Sequence, residues 1–243
     1  MSADGEAFWS YTDALIVIGL SLPVLIAAHF IAVGLISVSG VTADKDALTA
    51  ICGQAASWGL MAVAATALFQ YNYERPLLAS LGFVRWRGRP RASLLLGQGL
   101  ALTISLLAAA SGMSTGDSDR GPLGLAMTSN TFWLLALLGT TLLPFAEEAL
   151  FRGFFQPLTV RTFGTAIGIA LPGLLYVLTL MPGYNWSWRH GMALTIASLT
   201  FGWIRYRTKS TTAAALVHCA YNATFWMLLV LIPVFRSGAG HPK

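Results

Sequence analysis

The stretch ALIVIGLSLPVLIAAHFIAVGLISV, Ala14 to Val38, decides the fold class. Its 25 residues contain no Asp, Glu, Lys or Arg. At about 1.5 Å of rise per residue, a helix of that length crosses the roughly 30 Å hydrocarbon layer of a bilayer. It lacks the short apolar region and small-residue cleavage site of a secretory signal, so it reads as a retained first span. Further apolar runs follow at Leu48 to Tyr71, Ala92 to Ala110, Thr131 to Phe155, Gly164 to Met181, Gly191 to Ile204 and Thr211 to Phe235. The sixth is short for a full crossing and the last is long enough to tilt or break, so the expectation is about seven spans, with six to eight allowed. Composition agrees. Of the 243 residues 56% are hydrophobic and only 10% charged, against about a quarter charged in soluble domains, which leaves too few charges for a water-facing surface. The predicted class is an all-α, polytopic membrane helical bundle.

The chain shows neither an internal repeat nor a soluble domain. Ser111 to Asn130, rich in Gly, Ser, Thr and Asp, reads as a solvated loop. Arg75, Arg85, Arg87, Arg89 and Arg91 cluster between the second and third spans. Further basic groups stand at Arg152 with Arg161, and at Arg205, Arg207 and Lys209. The alternate loops, with Asp44, Lys45 and Asp46, then Asp117, Asp119 and Arg120, carry no basic excess. The positive-inside rule then places the arginine-rich loops and the N-terminus in the cytoplasm of a cell (plasma or inner) membrane protein. The net charge of +5 is a topology signal. Basic residues spread over loops beside a membrane predict a bilayer as neighbour and no nucleic-acid partner. Cys52 and Cys219 fall in apolar runs and read as small buried thiols. Trp133, Trp186, Trp188 and Trp226 sit near span ends or apolar faces, where interfacial anchoring is the ordinary role.

Ionisable groups inside a span cost several kcal/mol unless paired or turned to a cavity, so each marks a candidate site. The fourth span reads Leu143-Pro144-Phe145-Ala146-Glu147-Glu148-Ala149-Leu150-Phe151-Arg152-Gly153. On a helix Glu148 and Arg152 share a face at i and i+4, acid before base, the favourable order for a pair. Glu147 points about 100° away and must find another partner, hold a water or be protonated. A general base and an interfacial ion network at a helix end are both open readings of this cluster. In the last span His218 and Asn222 also lie four apart. Together they offer two donors toward one point, which suits a developing oxyanion; two polar residues bonding neighbouring helices is the alternative.

These stretches resemble the CAAX protease and bacteriocin-processing family of intramembrane glutamate-dependent peptidases. Glu147-Glu148-Ala149-Leu150-Phe151-Arg152 matches its EExxxR signature and His218-Cys219-Ala220-Tyr221-Asn222 its HxxxN signature. Phe201-Gly202-Trp203-Ile204-Arg205-Tyr206-Arg207-Thr208 is similar to the family's G-x-x-x-x-R-T stretch, and Ser80-Leu81-Gly82-Phe83 to its "LG" opening. The resemblance covers 80–235 as a peptidase core, with 1–79 as family-variable membrane helices and 236–243 as a short tail. It implies an endopeptidase acting on a membrane-associated or lipidated peptide or protein. Glu147 would activate water, His218 and Asn222 would stabilise the oxyanion, and Glu148 and Arg152 would organise the helix. No cofactor is implied. An older metal reading of such residues exists, but no HExxH is present and the metal-free version is favoured. One departure stands out. The family's FxxxH motif carries a histidine that assists the glutamate, and the best register here, Tyr176-Val177-Leu178-Thr179-Leu180, puts Leu180 in its place. Trp186-Ser187-Trp188-Arg189-His190 is a rival match, but His190 falls beyond Pro182-Gly183, in an outer loop by this topology. Two other expectations compete with the peptidase. Leu180 motivates a catalytically impaired scaffold or immunity-type protein, and the buried carboxylates a proton-coupled transporter, against which the missing repeats count.

Overall fold

The computed structural model describes residues 7–42, 44–84, 88, 90–110 and 131–238, the last seven by backbone alone. The expected solvated loop, Ser111 to Asn130, lies outside the described residues. All regular structure among the described residues is helical: α1 (Tyr11–Ser39), α2 (Lys45–Tyr73), the single turn α3 (Leu77–Ser80), α4 (Pro90–Ala110), α5 (Phe132–Thr140), α6 (Leu142–Glu148), a π-helical segment (Ala149–Phe155), α7 (Gln156–Leu180), a 3₁₀ turn (Met181–Tyr184), α8 (Trp188–Thr208) and α9 (Thr211–Gly238). Five stretches of the described residues are long and apolar enough to cross a membrane: α1, α2, α4, the run Phe132–Tyr184 and Thr211–Leu231. The protein is an all-α integral membrane bundle.

The run Phe132–Tyr184 holds 53 residues, about 80 Å if it were one straight helix, far more than a bilayer is thick. It is folded in two at Gly164, whose φ of 75° and ψ of 178° lie outside helical space in a region glycine enters freely. Beyond that turn the chain returns against itself. The Thr159 hydroxyl donates to the Gly168 carbonyl at 2.7 Å, and a Cβ on Gly168 would run into the Val160 backbone. The fourth and fifth predicted spans are therefore the two legs of one hairpin, and no loop separates them between Phe155 and Gly164. The sixth predicted span, Gly191 to Ile204, is the centre of the longer α8. Its arginines hide its length from an apolar count, because the helix carries Arg189 in its first turn and Arg205 and Arg207 in its last.

α1 starts on a capping box, with Ser10 and Asp13 exchanging side-chain and backbone hydrogen bonds. Tyr73, at the end of α2, donates its hydroxyl to the same Asp13 carboxylate at 2.5 Å, which fixes α1 and α2 as an antiparallel pair. The residues just before α1 reach into the second half of the chain. The Trp9 indole N–H donates to the Phe154 carbonyl at 3.1 Å, its ring stacks on Phe154, and Arg161 donates to the carbonyls of Ala7 and Trp9. α4 lies against α9 with almost no separation: a Cβ on Gly97 would collide with the Val217 carbonyl and the Ala220 methyl. Small residues permit such backbone approach between membrane helices, and here it fixes α9 at the turn that carries His218.

The cysteines are free and only partly buried, a correction to their reading as buried thiols: both sit on helix flanks. Trp133, Trp186 and Trp188 are exposed, as anchoring at an interface requires.

Candidate active site

The π-helical segment follows directly on the two glutamates, and its wider turn is a common mark of functional helices. The Glu148–Arg152 pair survives it, with Arg152 Nη1 3.2 Å from Glu148 Oε1 and both side chains sealed from the surface. A buried charge pair gains from further hydrogen bonds to its members. Arg152 Nη2 donates to the Ser198 carbonyl at 2.9 Å and to the Ser198 hydroxyl at 2.8 Å, and that hydroxyl donates to the Gly173 carbonyl at 2.9 Å. The guanidinium also lies over the rings of Tyr176, at 4.9 Å, and Phe201, at 5.6 Å. Arg152 is thus a core residue that links the π segment, α7 and α8. It is no loop cation and carries no orientation signal.

His218 stands between the two carboxylates. Its Nδ1 is 3.0 Å from Glu148 Oε1 and its Nε2 is 3.7 Å from Glu147 Oε2. A carboxylate paired with a guanidinium accepts, so Glu148 fixes the Nδ1–H and turns Nε2 toward Glu147. Phe201 stacks flat on the imidazole at a centroid distance of 4.4 Å. Glu147 meets the other nitrogen of the same ring. The two acids differ in access: Glu147 keeps 16% of its side chain exposed and Glu148 none. Only Glu147 can meet a water or a substrate.

Sequence reasoning named Tyr176 only as the start of a motif register and gave it no role. The structure puts its hydroxyl 3.3 Å from Glu147 Oε2 and 3.3 Å from His218 Nε2. Leu180, one turn along α7, packs with Phe151, Tyr176, Val177 and Met181 in an apolar cluster. His190 lies in the first turn of α8 and stacks on Tyr184 at 5.0 Å. It is helical, which corrects its expected place in an outer loop. Asn222 donates its amide to the Gly139 carbonyl at 2.7 Å. That carbonyl sits where α5 breaks at Thr141, whose φ of −124° and ψ of −86° end the helix and leave nearby carbonyls without helical partners.

Two motif stretches also meet. The Arg205 Nε donates to the Thr211 hydroxyl at 2.8 Å, which donates to the Leu81 carbonyl at 2.5 Å, and the Thr211 N–H donates to the Gly82 carbonyl at 2.9 Å. The Leu81-Gly82 pair therefore anchors the first turn of α9. The arginine at that junction is the buried Arg205, while Arg207 is exposed.

The two carboxylates approach His218 at different ring nitrogens and share no common point. Among the described residues no group of three or more His, Cys, Asp or Glu is arranged to hold a metal ion. The arrangement can polarise a water at Glu147 and hold a proton-bearing network around it.

Searches of curated proteins and of solved structures return no match. The family model described as type II CAAX prenyl endopeptidase, Rce1-like, matches residues 129–224, which bears out the resemblance carried by the EExxxR and HxxxN stretches and encloses every residue of the site.

Proposed function

From the Rce1-like core at 129–224 we infer that this protein is an intramembrane endopeptidase in which Glu147 activates a water molecule. The observation that carries this reading is the unequal pair of acids on one imidazole: Glu148 is closed off and neutralised by Arg152, while Glu147 keeps 16% exposure beside His218 Nε2. A positioned carboxylate of this kind takes a proton from water as the oxygen attacks a carbonyl carbon. His218, with a second proton on Nε2, and Asn222 then face the oxyanion. The carboxamide nitrogen bears two protons, so its bond to Gly139 leaves one donor for that task. Glu148, Arg152, Ser198 and Phe201 hold the imidazole in place.

The substrate class that fits is a lipidated or membrane-embedded peptide, because the site is built within helices that cross the bilayer. The cationic segments at Arg75 and at Arg207 to Lys209 support a cytoplasmic N-terminus in a cell membrane. The division into variable helices over 1–79, a peptidase core over 80–235 and a tail over 236–243 is part of the same proposal. The test is cleavage of a farnesylated CAAX peptide by the purified protein in proteoliposomes. Glu147→Ala is expected to lower the rate by about 10²–10⁴-fold, and equal rates in the two proteins would refute the assigned base.

A further inference from the structure

Peptide hydrolysis needs two proton events: one leaves the attacking water and another reaches the departing amine, which is too basic to leave as an anion. Glu147 covers the first. In the best register Leu180, packed among apolar neighbours, stands where the resembled family carries the histidine that assists the glutamate. One turn earlier on the same face, Tyr176 brings a hydroxyl to 3.3 Å from both Glu147 Oε2 and His218 Nε2. The phenol donates its one proton directly to the water-activating carboxylate. Its ring is fixed edge-on against Phe151 at 5.2 Å and beneath the Arg152 guanidinium. Little freedom remains to be lost when a substrate binds.

We propose that the Tyr176 hydroxyl is the acid that protonates the leaving amine, supplying in this chain the proton handling that Leu180 cannot. The inference rests on the endopeptidase reading. Water attacks the carbonyl carbon, its proton passes to Glu147, and the carbonyl π pair moves to oxygen. When the tetrahedral intermediate collapses, that pair re-forms the C=O bond and the C–N pair stays on nitrogen. Nitrogen takes the phenolic proton, and the phenolate recovers a proton from Glu147 across the 3.3 Å hydrogen bond. Both residues return to their starting state, and the products are a carboxylic acid and an amine.

The experiment compares two probes with the full-length protein in proteoliposomes: a farnesylated cysteine peptide with an ordinary scissile amide, and its counterpart with a 4-nitrophenyl ester, whose leaving group needs no proton. Tyr176→Phe, which keeps the ring, is expected to slow amide cleavage by about 10²-fold or more while changing ester cleavage by less than about tenfold. Glu147→Ala slows both. Equal losses of Tyr176→Phe on the two probes would mean that the hydroxyl only positions Glu147, and no loss on either would mean that it is a bystander; each overturns the proposal. Wild-type protein that cleaves neither probe faster than Glu147→Ala would overturn the peptidase reading, and this inference with it.

Discussion

Along α1, 17% of the residues in its apolar window are buried within the protein, whereas along Thr211–Leu231 the share is 39%. Both helices have membrane composition, yet they solve different problems. α1 buries mainly small side chains, Ala14, Val17, Ala28, Ala32 and Ile36, and turns Leu15, Leu22, Phe30 and Leu35 outward. α9 buries Thr211, His218 and Thr224 alongside its alanines. Lipid tails are as apolar as leucine, so apolar surface alone gives membrane helices little reason to prefer one another; close packing and polar contacts do. The α1–α2 pair is held at one end by Ser10, Asp13 and Tyr73, while the second half of the chain is held at its centre by a charged network.

The comparison breaks most visibly at Arg152. Its replacement by Ala leaves Glu148 as an uncompensated buried charge, so a loss of about 3–5 kcal/mol in unfolding free energy is expected, read from denaturant titration in detergent micelles. Stability close to the wild type would mean that the network is ornamental. Gly97→Val comes next. The added methyls must push α4 off the Val217 carbonyl, and a cost of about 1–3 kcal/mol in the same titration is expected, with a fall in peptidase rate as the turn bearing His218 shifts. Smallest is Leu22→Val on α1, where the side chain is 64% exposed. A change within about 0.5 kcal/mol is expected, and a larger one would show that α1 packs against something more demanding than lipid.

The same contrast explains what the sequence could disclose. Apolar runs report spans because the bilayer demands them, and Glu147, Glu148, Arg152 and His218 were legible because charge in a span is costly. The limits of α8 were misjudged because Arg205 looks like a terminus while it is buried and bonded to Thr211. Ser198 carries no signal, being an ordinary residue of a membrane helix, and Phe201 stands out only as the start of a motif stretch. Tyr176 was concealed by its apolar ring; its spacing from Leu180 was visible, but the reach of its hydroxyl to Glu147 depends on the hairpin at Gly164. The target of Asn222 depends likewise on the break at Thr141, which no pattern of residue types announces.

The clasp between Trp9 and Phe154 joins positions 145 residues apart. At a synthesis rate of about 5–20 residues per second the indole waits on the order of 10 s for its acceptor. Until then α1 and α2 sit in the bilayer with one end untied. Assembly on the ribosome therefore closes partly backward: the segment at Trp9 is locked only once the helix with both glutamates has been inserted.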